Sequence, residues 1–343
     1  MRKRHFIIGI IIILLSLYYV FNNVSIAEVT NAIVSVRYIY LLPALFLVGM
    51  SFLFRAMRWR YLVSSIKKVN TVNLFSPLMV GFMGNILPAR AGELIRAYLL
   101  GKKESISFSA SFATIFMERL LDMGMVLLLL LWVLLFKAEV FASGDGGNNH
   151  QLMGYMINFG WISFFGCLFI FLFSVLLQYK NDWAMKVVGL CVKPLPQKWG
   201  EKIVGLVSSF TEGLKILKDK RGFFASIVLS FLLWTAIVFS YYPLYQAFEI
   251  ESILPVISSL IILTLAIDIF IVLFPTPGFL GAFQAACVVA LHEVFGIPKA
   301  IAVSYGIVAW LVMMGFVIIV GIIFVVKDNI SFAEFSLNRE RIK

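Results

Sequence analysis

The chain has 343 residues, 61% of them hydrophobic and 14% charged, with a mean hydropathy of +0.97 and a formal net charge of +11. One soluble core of this length cannot hide so much apolar surface, so lipid must be the solvent for most of the chain. The basic residues lie between apolar runs, not in a stretch interleaved with aromatics, which assigns them to membrane orientation and excludes a nucleic-acid partner.

A membrane helix needs about 20 apolar residues. The opening MRKRHFIIGIIIILLSLYYVF predicts a first span over 5–22. Ser25-Ile26-Ala27 would suit cleavage of a signal peptide, but the apolar run is long for one and many spans follow, so an uncleaved first helix is expected. Further full spans are predicted over 38–55, 108–136, 152–178, 223–247 and 300–326. Two more apolar segments, 72–98 and 253–296, are interrupted by LPARAG (Leu87–Gly92) and FPTPGFLG (Phe274–Gly281). Proline removes a backbone donor and clashes with the preceding turn, and glycine frees the chain to bend. Both segments therefore read as broken or re-entrant helices, which lipid tolerates only where they are buried in protein or line a polar cavity. Between the spans, 179–222 is the one sizeable extramembrane piece. In it Trp199, Ile203, Leu206, Val207, Phe210, Leu214 and Leu217 recur at helical spacing, an amphipathic helix that lies on the membrane or packs against the bundle.

Lysine and arginine then set orientation. Twenty-five of the 29 fall on one side, only Arg37, Lys137 and Lys299 on the other, and Arg119 remains near the membrane. Both termini are thus expected in the cytoplasm of a multi-pass cell-membrane protein. The count works with six full spans only if each broken segment returns to the side it entered from. Two broken segments of opposite orientation are the pointer to an inverted repeat with a site near the midplane. The predicted fold class is accordingly an all-α polytopic membrane protein, a single membrane domain over 1–343, with six full spans plus two broken hairpins.

The stretch GNILPARAGELIRAYLL (Gly84–Leu100) puts Arg90, Glu93 and Arg96 just after the Pro88 break. A helix restarting there offers free N–H groups and a partial positive charge, suited to an anion such as a phosphate. The alternative is anchoring by snorkelling arginines. Glu93 and Arg96, three apart, are expected to pair. In the next span Glu118 and Asp122 share a face, with Arg119 beside them. Charges so deep must pair or face a wet cavity, and an ion-pair network joining them to Arg90 or Arg96 is expected. Asp268 interrupts LIILTLAIDIFIVLF as a proton or cation handle or as the partner of Arg119, and Gln284 follows the PTPG turn as a neutral hydrogen-bonding group.

His292-Glu293 lacks a further histidine, and His5 and His150 stand in a flank and a loop, so no metal site or cofactor is predicted. Cys167, Cys191 and Cys287 read as small apolar core residues. No GxSxG, HExxH, P-loop or dinucleotide turn occurs, and no catalytic residue is proposed.

Taken together, GNILPARAGELIRAYLL, MERLLD and FPTPGFLG resemble the transmembrane, flippase-like domain of the lysylphosphatidylglycerol synthases, over nearly the whole chain. By that resemblance Asn85, Pro88, Arg90, Gly92, Glu93 and Arg96 match the first motif, Glu118, Arg119 and Asp122 the second, and Pro275, Pro277, Gly278 and Gly281 the third. The family usually reads PGGxGxxE in the third motif; here Phe279 replaces the second glycine and Gln284 the glutamate. The resemblance implies a protein that binds and translocates an anionic phospho- or glycolipid. Asn85, Arg90, Glu93, Arg96, Glu118, Arg119, Asp122, Asp268 and Gln284 would be at the lipid and the prolines and glycines at the hinges. The aminoacyl-transferase domain has no counterpart in this chain. An intramembrane enzyme acting on a lipid-linked sugar or phosphate, using the Glu118/Asp122 pair, and a non-transporting envelope partner are the alternatives. Membrane lipids are the expected partners, and a homo-oligomer or an envelope protein stays open.

Overall fold

The computed structural model describes residues 13–86, 91–136, 148–179, 186 and 197–330. Pro88, Arg90, His5, Cys191, the start of the 5–22 span, the tail after 330 and most of 180–196 lie outside the described residues, as do the side chains of Cys167, His150 and Trp199. The described residues hold helices and turns and no strand, and the chain is an all-α polytopic membrane protein.

Helix α1 (Ile13–Phe21), the described part of the predicted first span, is followed across a turn by α2 (Ile26–Val34) at 81°, so the chain bends where that span is expected to end. The bend has a local cause. Ser25 caps α2, its Oγ accepting from the Glu28 N–H while Glu28 reaches back to the Ser25 N–H, both at 3.2 Å. Helix α3 (Leu41–Ser64) runs nine residues past the expected end at 55. It thereby carries Arg55 and Arg58, expected on the membrane surface, into the protein, where Arg58 is wholly buried.

The first broken segment forms two arms, α4 (Thr71–Met83) and α5 (Gly92–Glu104), of 13 residues each. At 1.5 Å per residue each is about 20 Å long, short of the ~30 Å hydrocarbon core. Neither arm is long enough to cross alone. They lie so close that a methyl on Gly92 would overlap the Gly81 carbonyl oxygen and the Asn85 side chain.

Helices α6 (Phe108–Phe136) and α7 (Asn148–Tyr179) follow, then α8 (Gln197–Gly213). Helix α8 is the predicted amphipathic piece, and it docks on α6. Gly213 sits against Ala110 and Ala113, the Ser109 hydroxyl donates to the Leu206 carbonyl, and the Phe116 and Phe210 rings meet edge-on at 5.6 Å. Asp219 caps α9 (Lys220–Ser240), which packs along α3 and continues through a short α10 (Tyr242–Ala247).

The second broken segment differs from the first. Its arms are α11 (Val256–Leu273) and α12 (Ala282–Val288), the latter extended through Val294 by a π-helical turn. With the break's own residues they form two stretches of 18 residues, Val256–Leu273 and Pro277–Val294, each long and apolar enough to cross a membrane. Each arm of this hairpin is thus long and apolar enough to cross by itself, which the arms of the first are not. Helix α13 (Lys299–Lys327) completes the bundle, packed on α4 and α12. Just beyond it, Asp328 accepts from Ser76 and from Lys103 (2.9 Å), tying the middle of α4 to the C-terminal ends of α5 and α13. Burial works against ionising Asp328, but those two donors outweigh it and hold its carboxyl below the usual range.

The two breaks meet. The turn Gly84–Ile86 packs against Pro277–Phe279, with Ile86 beside Gly278. In the second break Gly278 (φ 60°) and Gly281 (φ 78°) are left-handed, and so is Phe279 (φ 63°), where a β-carbon crowds the following carbonyl. Replacing Phe279 by Gly or by Ala removes the same ring. The Gly variant is expected to melt higher than the Ala variant by the equivalent of about 1–2 kcal/mol, since only Gly relieves the backbone. Equal midpoints in a detergent melt would refute the strain.

Candidate functional site

Four arginines and three carboxylates converge where α3, α5, α6 and α9 meet. Glu118 is fully buried on α6. Its Oε2 lies 2.7 Å from Arg96 of α5 and its Oε1 lies 3.1 Å from Arg58 of α3. One turn further along α6, Asp122 takes a 2.7 Å hydrogen bond from Arg58 and a longer one, 3.3 Å, from the Trp234 indole. Arg58 also donates to the Ser230 hydroxyl at 2.9 Å. Arg96 stacks on the Trp59 ring, its guanidinium carbon 3.6 Å from the centroid, and the Trp59 N–H is held by Thr114. This part is a dry floor: Arg58, Arg96 and Glu118 are at most 2% exposed.

The other edge is open. Arg119 pairs with Glu93 at 2.9 Å, and both side chains are 42% exposed. Arg119 reaches Asp122 only at 3.5 Å. Arg55 stands between floor and edge, 3.4 Å from Asp122 and 3.6 Å from Glu118, over the Phe82 ring. Buried nitrogens remain unused: among the described residues Arg55 Nε, Arg58 Nε and Arg96 Nε have no hydrogen-bond acceptor. Arg55, Arg58, Arg96 and Arg119 outnumber Glu93, Glu118 and Asp122 by one positive charge. A buried guanidinium with free donors and surplus charge can take an anion.

The structure therefore brings together Glu93, Arg96, Glu118, Arg119 and Asp122 of the predicted residues. It rearranges their pairing, because Glu93 and Arg96 do not pair with each other; Glu93 takes Arg119, and Arg96 takes Glu118. The network joining α5 to α6 is present. Asp268 on α11 lies within electrostatic range of Arg55, Arg119 and Asp122, yet among the described residues no ion pair or hydrogen bond holds it, so it is not the partner of Arg119. Asn85 packs on Gly92 at the first break. Gln284 stands elsewhere: its amide oxygen caps the Gly281 N–H at 2.8 Å and its Cα faces Gly306 of α13. That is a structural task for a residue expected at the lipid.

Arg55, Arg58, Trp59, Ser230 and Trp234 escaped the sequence reading. Arg55 and Arg58 follow an apolar run and looked like a loop's positive charges. The available signal was Phe52, Arg55, Trp59 and Leu62 at i, i+3, i+7 and i+10, one continuous helical face. His292 and Glu293 also have structural partners, the Ile297 carbonyl and the Tyr19 hydroxyl. Among the described residues no group of three or more His, Cys, Asp or Glu side chains could hold a metal. Cys287 is buried and free.

The chain is 24% identical over 345 residues to a UPF0104 membrane protein of Pyrococcus horikoshii, covering 94% of this chain and 96% of that one. It is 23% identical over 300 residues to a UPF0104 membrane protein of Methanothermobacter thermautotrophicus (86% and 87%). A third such protein, from Methanocaldococcus jannaschii, is 25% identical over 258 residues, 72% of each chain. No solved structure matches. The profile of the lysylphosphatidylglycerol synthase TM region matches residues 6–321, and with nearly the whole chain covered, this protein belongs to that family.

Proposed function

We propose that this protein binds the headgroup of an anionic phospho- or glycolipid at the arginine cluster and carries it across the bilayer, working in the cell membrane with both termini in the cytoplasm. The observation that carries the reading is the surplus of buried guanidinium donors opening onto a half-exposed edge. At that edge Arg119 holds Glu93 in an exposed contact and Asp122 only at 3.5 Å, and can exchange them for a phosphate at little cost, while Arg55 behind it adds a long-range contact to Asp122 at 3.4 Å and an unused donor. The floor does not exchange, since stripping its ion pairs would leave buried charges uncompensated. Asp268, within electrostatic range of the cluster and without an ion pair among the described residues, would receive the arginine or a proton when the headgroup leaves. The touching breaks supply a seam where two opposed hairpins can shift. The enzymatic alternative asks for a free carboxylate pair, and Glu118 and Asp122 are both engaged by arginines.

The full chain, reconstituted into phosphatidylcholine vesicles with fluorescent phosphatidylglycerol, is expected to speed its transbilayer movement. An Arg55→Gln/Arg119→Gln variant should slow that movement by at least about tenfold, the loss of one charge-assisted hydrogen bond, while eluting as wild type in size exclusion. Equal rates for the two proteins, or wild type no faster than empty vesicles, refute the proposal.

A further inference from the structure

A groove of about 610 Å³ runs between α6, α7 and α9. Its walls include Leu121, Gly124 and Leu128 of α6, Phe164 and Leu168 of α7, and Phe231 of α9. Among the described residues its one hydroxyl is Ser230, the same group that accepts from Arg58 in the ion cluster. Met117 and Leu121, each one residue from Glu118 or Asp122, also line it. The groove thus begins at the charged floor and leads away along apolar side chains. The α6 lining runs from Met117 to Leu134, about 25 Å at 1.5 Å per residue, against ~30 Å for the whole hydrocarbon layer.

Position decides the occupant. The groove meets the charged floor at one end and the bilayer along its side, the two places where a lipid's head and tail must lie. Its length of about 25 Å takes an extended polymethylene chain, whose carbons contact their neighbours at about 4 Å. The side is open as well: Leu128, Phe164 and Phe231 are 44–49% exposed, so a chain can enter laterally from the bilayer. A β-carbon on Gly124 would meet nothing within 4 Å, which marks free space at mid-groove.

We infer that the groove between α6, α7 and α9 holds an acyl chain of the lipid whose headgroup meets the arginine cluster, and that it guides the chain over most of the membrane's depth. The inference rests on the lipid-binding reading of the cluster. It adds that the protein grips the tail and not only the headgroup, so that substrates must carry at least one long acyl chain beside the anion.

The test uses the full chain in phosphatidylcholine vesicles with phosphatidylglycerol bearing a diazirine in its acyl chain, the adducts mapped by mass spectrometry. Adducts are expected to concentrate on the lining residues. Gly124→Trp, or Leu128→Trp should the first not fold, is expected to cut them about tenfold, the factor that losing contact with some two methylenes carries, and to slow translocation. Ile319→Trp on the exposed face of α13 is expected to change neither. Adducts spread evenly over lipid-facing residues such as Ile319, unchanged labelling in both groove variants, or chain-to-chain cross-links from groove positions would each overturn it. The two proposals fail separately: groove labelling without translocation by wild type removes the transport reading and leaves the groove, and translocation without groove labelling does the reverse.

Discussion

Glu118→Ala is expected to cost this protein about 3–5 kcal/mol of stability, the range for removing one partner from a buried ion pair. Glu118 faces Arg96, Arg58 and Arg55 at 2.7, 3.1 and 3.6 Å, and Arg58, Arg96 and Glu118 lie beyond the reach of solvent. Without its carboxylate the surplus positive charge on the floor rises, and only Asp122 remains to offset Arg58. The floor's remaining order rests on Trp59 under Arg96 and Ser230 beside Arg58, which solvate but do not neutralise. The measurement is the thermal midpoint in detergent together with the monodisperse fraction. Glu118→Gln, which keeps the shape and one acceptor, should fall between wild type and Ala. Adding Arg96→Met to Glu118→Gln should recover part of the loss, since the double change removes charge in matched pairs. An Ala variant that melts with wild type would mean the cluster is hydrated throughout, and the dry floor would be wrong.

Gly92→Ala is expected to be the most damaging single-methyl addition in the first hairpin. The methyl would overlap the Asn85 amide and the Gly81 carbonyl oxygen, and the latter, being backbone, cannot yield without separating α4 from α5. Overpacking of this kind costs about 1–3 kcal/mol, and backbone on the far side puts the cost at the upper end. The damage spreads to the site, because Arg96 is one turn along α5 and its own Cβ already crowds Gly81. Moving α5 outward pulls Arg96 off Glu118. Both the melting midpoint and the translocation rate should therefore drop. Gly124→Ala is the control: with nothing within 4 Å of the new carbon, it should be neutral, or more stable by up to about 1 kcal/mol from helix propensity. Equal midpoints for the two variants would show that α4 and α5 are not in close contact.

Much of this architecture was legible in the linear chain, and for a simple reason. Lipid forbids unpaired backbone groups, so long apolar runs must be helices, and prolines inside such runs must be breaks. The spans over 108–136 and 300–326, the broken character of 72–98 and 253–296, and the amphipathic face of 197–213 all follow from composition and period alone. The charged residues of α5 and α6 stood out too, because a charge at that depth demands a partner. What misled the reading was the end of α3. An apolar run ends where lipid contact ends, whereas a helix ends where its backbone bonds stop, and in α3 those points are nine residues apart. Arg55 and Arg58 fall in that interval, and only their carboxylate partners on another helix make it tolerable.

The same distinction separates the two levels of description. The order of spans and breaks, the strong bias of basic residues and the presence of buried charge are properties of neighbouring residues in a fixed solvent, so the amino-acid string carries them. Which arginine meets which carboxylate, that Glu93 turns to Arg119 and Arg96 to Glu118, that Gln284 caps a turn, that the two breaks touch, and that an apolar groove reaches Ser230 are decided by packing between segments far apart in the chain. Ion pairing is strong only at a few ångströms, and helix packing alone sets those distances.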